Sequence, residues 1–178
     1  VLAARKIAPA LAAGCSVILR PAEEAPGSAM SLVQCLHEAG VPAGVINLIN
    51  GSADTISPVL LNESRVRKIS LTGSARVGKL LIKASAETLK RTSMELGGHA
   101  PVIIYADADA EAIAEQAALV KFKHCGQVCA SPSRYFIHES QAEAFTNKFI
   151  KITQNFKLGN GMESGVDIGP LATKKRLK

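Results

Sequence analysis

The stretch KISLTGSARVGKLLIK at residues 68–83 changes its hydrophobic period halfway along. Residues 68–71 predict a short apolar strand, Thr72-Gly73-Ser74 a turn, and residues 75–83 a helix. Two strands before it, at residues 16–19 and 45–49, are also each followed by a predicted helix, at residues 28–39 and 54–61. This alternation predicts parallel strands joined by right-handed crossovers, and therefore an α/β fold with a doubly wound parallel sheet.

Ligands of such a sheet bind beyond the carboxyl ends of its strands. Three segments fall at those ends, namely residues 20–24, 50–52 and 72–78. We therefore expect these three segments to line one crevice.

The second half of the chain has a different pattern. Its predicted elements are short strands at 92–96 and 102–105, a helix at 110–122, a turn-rich segment at 126–133, a strand at 134–137 and an amphipathic helix at 141–156. A second domain is expected to begin within this half.

The composition is that of a globular protein, because 47% of the 178 residues are hydrophobic and 20% are charged. The sequence contains no apolar run long enough to cross a bilayer and no recognisable signal peptide, so we expect a cytoplasmic protein without a membrane partner. The net charge of +6 is mostly scattered and accompanies no nucleic-acid-binding motif, so we predict no nucleic-acid partner. The four cysteines show no disulfide framework and are expected to be reduced thiols.

Gly73 and Gly78 flank the predicted start of the helix at residues 75–83. Free N–H groups and the helix dipole at such a start favour phosphate binding. The segment matches neither the G-x-G-x-x-G fingerprint nor the P-loop, which requires Ser or Thr where this chain has Leu80. An ordinary turn with glycines for tight packing remains an equal alternative.

Glu95 is a single carboxylate between apolar Met94 and Leu96, followed by Gly97 and Gly98. Apolar neighbours favour desolvation, which would raise its carboxyl pKa and suit a general base acting on water. A structural pairing with a nearby Lys or Arg is the alternative interpretation.

The stretch KHCGQVCASPSR at residues 123–134 carries two thiols four residues apart. Cys125, Cys129 and His124 are a poor match to a zinc site, and we predict no metal. The thiols are either buried structural groups or include a nucleophile presented on a glycine turn, and residue types leave both interpretations open.

Taken together and in this order, these segments resemble the aldehyde dehydrogenase superfamily over essentially the whole chain. The landmarks that carry the resemblance are APALAAG at residues 8–14, RPAE at 20–23, LTGS at 71–74 with Gly78, ELGG at 95–98 and GQVC at 126–129. The CASPSR sequence at residues 129–134 is similar to that of the branch that oxidises succinate semialdehyde and related short semialdehydes.

The resemblance implies an NAD(P)-dependent enzyme that oxidises an aldehyde to a carboxylic acid. It implies that Cys129 forms the thiohemiacetal and thioester, that Glu95 activates the hydrolytic water, and that Lys6 supports proton transfer. It also implies a partial NAD(P)-binding domain over residues 1–123 and the beginning of a catalytic domain over residues 124–178.

For the cofactor, the resemblance places the pyrophosphate near the turn and helix start and the adenine ribose near residues 20–23. The residues implied in cofactor binding are Arg20, Glu23, Gly73, Ser74, Gly78, Leu96 and Gly97. Glu23 favours NAD, because a carboxylate accepts from the ribose 2′-hydroxyl and repels the 2′-phosphate of NADP. Arg20 replaces the usual lysine of the family, and its guanidinium makes NADP the alternative.

His99 and His124 depart from the residues that the family more often has beside the two glycines and before the Gly-Gln pair. The resemblance further implies that oxyanion-hole and nicotinamide-ribose residues lie outside this stretch. We therefore expect the isolated chain to be inactive and its parent to be an enzyme that forms a homo-oligomer, a dimer or tetramer. A non-catalytic nucleotide-binding module or pseudoenzyme is the alternative.

Overall fold

A computed structural model describes residues 1–177, apart from the side chains of residues 175 and 176. Helices and strands alternate along it. The helices are α1 (Leu2–Ala12), α2 (Pro26–Glu38), α3 (Ala53–Asn62), α4 (Ala75–Ala86), α5 (Ala110–Phe122) and α6 (Glu139–Gln154). The strands are β1 (Val17–Leu19), β2 (Ile46–Leu48), β3 (Lys68–Thr72), β4 (Arg91–Glu95), β5 (Val102–Ile104) and β6 (Tyr135–Ile137).

The strands pair in parallel, β1 with β2, β3 with β4, and β5 with β6. A helix connects the two strands of every pair, so the chain contains three successive βαβ units. The α/β class and the parallel pairing predicted from the sequence are therefore confirmed. Within residues 1–177 the strands form three separate two-stranded sheets, and the single sheet expected from the alternation is not continuous.

Serine and aspartate side chains cap the starts of three helices. The side chain of Ser52 accepts a hydrogen bond from the backbone N–H of Asp54, Ser74 from that of Val77, and Asp109 from that of Ala112. Each cap pairs one of the N–H groups that the first helical turn leaves without a carbonyl partner.

The chain divides into two compact units, the first over Val1–Leu96 and the second beginning at Gly97. The core of the first unit includes Ile7, Val33 and Ile46, from α1, α2 and β2. In the second unit Ile104 and Phe145 pack with three alanines of α5. The predicted domain boundary between residues 123 and 124 remains a prediction.

None of the helices described for residues 1–177 is long and apolar enough to span a membrane.

Candidate active site

Cys129 lies at the corner of a β-turn in the second unit. The turn runs from Val128 to Ser131 and is closed by a 3.0 Å hydrogen bond from the Ser131 N–H to the Val128 carbonyl. Cys129 is the second residue of the turn and is exposed. The interpretation of a thiol presented on a turn therefore fits Cys129 better than that of a buried structural thiol.

The backbone leading into this turn is left-handed at three consecutive residues. His124 has a φ of 50°, Cys125 of 59° and Gly126 of 71°. A left-handed conformation costs about 1–2 kcal/mol for each non-glycine residue. Gly126 is required for a second reason, since a Cβ atom there would lie 3.2 Å from the carbonyl oxygen of Lys121.

Cys125 has a different environment from Cys129. Its Sγ donates to the carbonyl oxygen of Gly169 at 3.1 Å, and the residue is half-buried. Gln127 ties the same two segments together, because its Oε1 accepts from the N–H of Ala172 at 3.2 Å. Cys125 therefore connects two segments, in agreement with the structural interpretation of this thiol.

Gly98 and His99 pack against the segment that carries Cys129. A Cβ atom at Gly98 would lie 2.9 Å from the carbonyl oxygen of Cys129. The carbonyl of His99 accepts hydrogen bonds from both the N–H and the Oγ of Ser133. The two residues that follow Gly97 are thus packed against the segment that carries the thiol.

Glu95 ends β4 in the first unit, opposite Thr72 in the register of the strand pair. Its carbonyl accepts from the N–H of Gly73 at 3.0 Å, and its side chain is exposed. The predicted desolvation of Glu95 is therefore wrong for this chain. Successive side chains of a strand point to opposite faces, so the half-buried Met94 and the exposed Glu95 lie on opposite faces of β4.

Lys6 reaches from α1 to the strand pair that carries Glu95. Its Nζ donates to Ser70 Oγ at 2.7 Å and to the Leu71 carbonyl at 3.4 Å. Burial lowers the pKa of Lys6, the negative charge of Glu95 partly opposes this, and the positive charge of Lys68 lowers the pKa further. Lys6 therefore lies in the electrostatic field of Glu95, although among the described residues no ion pair within 4 Å involves Glu95.

The turn at the start of α4 uses its glycines for packing. The Gly73 N–H donates a hydrogen bond to the backbone carbonyl of Glu95. A Cβ atom at Gly78 would lie 3.0 Å from Leu96 Cδ2. The packing alternative therefore accounts for Gly78, which lies against Leu96. The N–H groups of Ala75 and Arg76 have no carbonyl partner in the first turn of the helix, so this helix start retains donors that fit a phosphate.

A cleft of about 320 Å³ opens beside the end of β1 in the first unit. Its lining is mainly apolar and is formed by Pro21, Ala22, Glu23, Pro26, Met30, Asn50 and Gly51. Arg20 donates to the Glu23 carboxylate and, at 3.1 Å from its Nε, to the Gly51 carbonyl. An apolar slot with a carboxylate and a guanidinium beside it fits an adenosine group, whose flat base is apolar and whose ribose is polar.

The third predicted segment of the crevice, residues 72–78, contributes no lining residue to this cleft. The crevice predicted for all three segments remains a prediction. The carboxyl ends of β1 and β2 belong to a strand pair separate from that of β3 and β4.

Gly97 is exposed, and a Cβ atom there would have nothing within 4 Å. Within residues 1–177 no cluster of three or more His, Cys, Asp or Glu side chains has the arrangement of a metal site.

Sequence reasoning did not single out Ser131, which is buried two residues after Cys129. The position of Ser131, two residues after the candidate nucleophile Cys129, is the sequence feature that could have indicated a role for it.

Comparison with known proteins gives one family for the whole chain. The description "Aldehyde dehydrogenase family" matches residues 1–178. The chain is 47% identical over 174 residues to 3-sulfolactaldehyde dehydrogenase of Pseudomonas putida, covering 98% of this chain and 36% of that protein. It is 44% identical over 167 residues to succinate semialdehyde dehydrogenase of Acinetobacter baylyi, covering 94% of this chain and 35% of that protein.

A solved structure of aldehyde dehydrogenase C from Pseudomonas syringae, a mutant complexed with NAD⁺ and octanal, is also similar. The TM-score is 0.90 at 34% sequence identity, and the match covers 96% of this chain and 35% of that chain. The chain thus spans about a third of the length of the relatives that it matches.

Proposed function

The chain belongs to the aldehyde dehydrogenase family, and on that premise we propose that the protein containing it oxidises an aldehyde to a carboxylic acid with a nicotinamide cofactor. The observation that carries the proposal is the exposed thiol of Cys129 on an anchored β-turn. A nucleophile must be accessible and held in place, and this turn supplies both conditions.

In the first half of the proposed reaction, the Cys129 thiolate attacks the aldehyde carbonyl carbon. A carbon–sulfur bond forms and the carbonyl π electrons move to oxygen, which gives a thiohemiacetal. A bound nicotinamide cofactor supplies the acceptor for the hydride that leaves this carbon, so that the carbon–oxygen double bond re-forms as a thioester on Cys129.

In the second half, Glu95 takes a proton from water and the water oxygen attacks the thioester carbonyl. The carbon–sulfur bond breaks, the thiolate of Cys129 leaves, and the carboxylic acid is released. Lys6 is proposed to assist proton transfer, because burial lowers its pKa and its Nζ lies in the electrostatic field of Glu95.

The residues proposed to hold the cofactor lie in the first unit and at its boundary with the second. Glu23 and Arg20 border the cleft proposed for adenosine, and Ser74 begins the helix whose free N–H groups suit the pyrophosphate. We propose NAD as the preferred cofactor because Glu23 lines that cleft. NADP is the alternative, since Arg20 is beside it.

Substitutions of Cys129 and Glu95 in the complete protein test the two chemical steps separately. Cys129→Ala should abolish NADH production, including the first turnover. Glu95→Gln should retain a burst of about one NADH per site and then stall, because the thioester forms but is not hydrolysed. Cys35→Ala and Glu87→Gln are the matched controls, since both residues are exposed and remote from these roles.

Normal turnover by Cys129→Ala would show that this thiol is not the nucleophile. Calorimetric titration with NAD on the unsubstituted protein separates the remaining outcomes. Binding without turnover would support a non-catalytic nucleotide-binding module, and neither binding nor turnover would support a pseudoenzyme.

For the substrate we propose a short semialdehyde such as succinate semialdehyde. Two relatives are named for aldehydes that also carry one anionic group, a sulfonate in one and a carboxylate in the other. Arg134 is exposed and follows the Cys129 turn by three residues, so its guanidinium is our candidate partner for that anion.

Arg134→Gln should raise KM for succinate semialdehyde and leave KM for butanal unchanged, with Arg67→Gln as an exposed arginine control. A higher kcat/KM of the unsubstituted protein for acetaldehyde than for succinate semialdehyde would refute the semialdehyde proposal.

A further inference from the structure

Ser131 is a buried polar residue two positions after Cys129. Only 7% of its surface is exposed, although Cys129 and Ala130, which precede it in the same β-turn, are both exposed. Its backbone N–H closes the turn on Val128. Ser131 therefore belongs at once to the turn that presents the thiol and to the interior beneath it.

Within the described part of the chain the hydroxyl of Ser131 has one partner, the carbonyl of Lys121, to which its Oγ donates at 3.2 Å. Lys121 lies in the last turn of α5, where carbonyl groups have no intrahelical N–H partner. The serine hydroxyl thus satisfies a carbonyl at the end of a helix and connects the Cys129 turn to the rigid element before it.

Gly126 meets the same carbonyl from the left-handed segment. A Cβ atom there would lie 3.2 Å from the Lys121 oxygen and 3.8 Å from Ser131 Oγ. The end of α5, the left-handed segment and the Cys129 turn therefore converge on one oxygen atom. A displacement of Ser131 would move the turn relative to the helix.

We propose that Ser131 is a positioning residue for Cys129, acting through its hydrogen bond to the Lys121 carbonyl. The proposal rests on the proposed function, in which Cys129 is the nucleophile. Ser131 does not contact the reacting atoms, and its role is to hold the thiol at one place relative to α5. The placement of a reacting group strongly affects the rate of reaction and has less effect on substrate binding.

The first test compares Ser131→Ala with Ser85→Ala in the complete protein. Ser85 is also a buried serine, 1% exposed, but its hydroxyl has no partner among the described residues. Ser131→Ala should lower kcat roughly tenfold with KM for the aldehyde within about twofold. Ser85→Ala should leave both values unchanged. Equal kcat values in the two variants would overturn the proposal.

A second pair removes the effect of side-chain size. Ser131→Thr and Ser131→Val have nearly the same shape, but only threonine retains the hydroxyl. We expect Thr to keep a kcat at least about fivefold above that of Val, which corresponds to one hydrogen bond. Equal kcat values for the folded Thr and Val variants would show that the hydrogen bond is not responsible.

Amide hydrogen exchange across residues 124–133 tests the Ser131–Lys121 hydrogen bond without an activity measurement. Exchange should be faster in Ser131→Ala than in Ser85→Ala, and equal rates would show that this hydrogen bond does not hold the turn, even if the protein is an active enzyme. If exchange is faster but the Cys129→Ala variant turns over normally, the hydrogen bond holds the turn and Cys129 is not the nucleophile.

Discussion

Gly98 lies against the backbone of the residue that presents the thiol. Because a Cβ atom at position 98 would fall 2.9 Å from the Cys129 carbonyl oxygen, Gly98→Ala must displace one of the two segments. We expect a loss of about 1–3 kcal/mol in the free energy of unfolding, as overpacking usually causes. Denaturant titration of Gly98→Ala and Gly97→Ala provides the comparison, since Gly97 has open space at the same position. Equal stabilities would contradict the contact.

A second residue-scale prediction concerns Glu63, whose carboxylate accepts hydrogen bonds from the Arg65 guanidinium at 3.0 and 2.8 Å. These bonds, with a further one from the Arg65 N–H, lower the pKa of Glu63 from 4.5 to about 2. A depressed carboxyl pKa contributes stability that is present above pH 4.5 and is lost as the pH falls towards 2.

The difference in melting temperature between the unsubstituted protein and Glu63→Gln should therefore be present at pH 7 and shrink between pH 4.5 and 2. Glu87→Gln serves as the control. A difference that is constant over this range would show that the pair has no electrostatic effect on folding.

At the scale of helices and strands, local patterns predicted most of the fold. The helix at residues 110–122 was predicted with the bounds that α5 has, because Asp109 caps it and an apolar period follows. Every predicted strand is present within one or two residues. These elements depend on hydrophobic period and caps, which are properties of neighbouring residues in the sequence.

The features that sequence reasoning missed depend on contacts between distant residues. His124 and Cys125 adopt left-handed conformations, which non-glycine residues do not signal in the sequence. Ser131 acquires its role only because the end of α5 meets it. The exposure of Glu95 was misjudged for a related reason, since its neighbours in sequence are not its neighbours in space.

The packing of α5 against α6 through Phe145 gives a prediction at this scale. Phe145 is 4% exposed, and its ring centroid lies 5.7 Å from that of Phe149 and 5.4 Å from that of Tyr135. Phe145→Ala should reduce the free energy of unfolding by about 3–5 kcal/mol, because it removes this ring and leaves a cavity. Phe145→Leu keeps most of the volume and should cost less than about 1.5 kcal/mol. Similar losses in both variants, measured by denaturant titration, would show that the cavity is not the cause.

At the scale of the whole molecule, the described chain leaves an unusually large surface uncovered. Its accessible surface is 12725 Å². A compact monomer of 18.7 kDa would expose about 8,300 Å², and two separate domains of half that mass about 10,000 Å². Even two separate compact domains would thus expose less surface than the described chain does. Ile103 and Phe136, paired across β5 and β6, are 63% and 55% exposed and form part of this uncovered apolar surface.

We therefore expect the isolated 178-residue chain to bind an apolar fluorescent dye strongly and to produce no NADH from an aldehyde and NAD. The complete protein should bind little dye and should produce NADH. The chain spans about a third of the length of its relatives, so the uncovered apolar surface is expected to pack against other parts of the complete protein. Replacing Ile103 and Phe136 by Thr in the isolated chain should reduce dye binding without restoring turnover. Weak dye binding by the unsubstituted isolated chain would show that its surface is already covered, and turnover by that chain would show that residues 1–178 contain every group that the reaction needs.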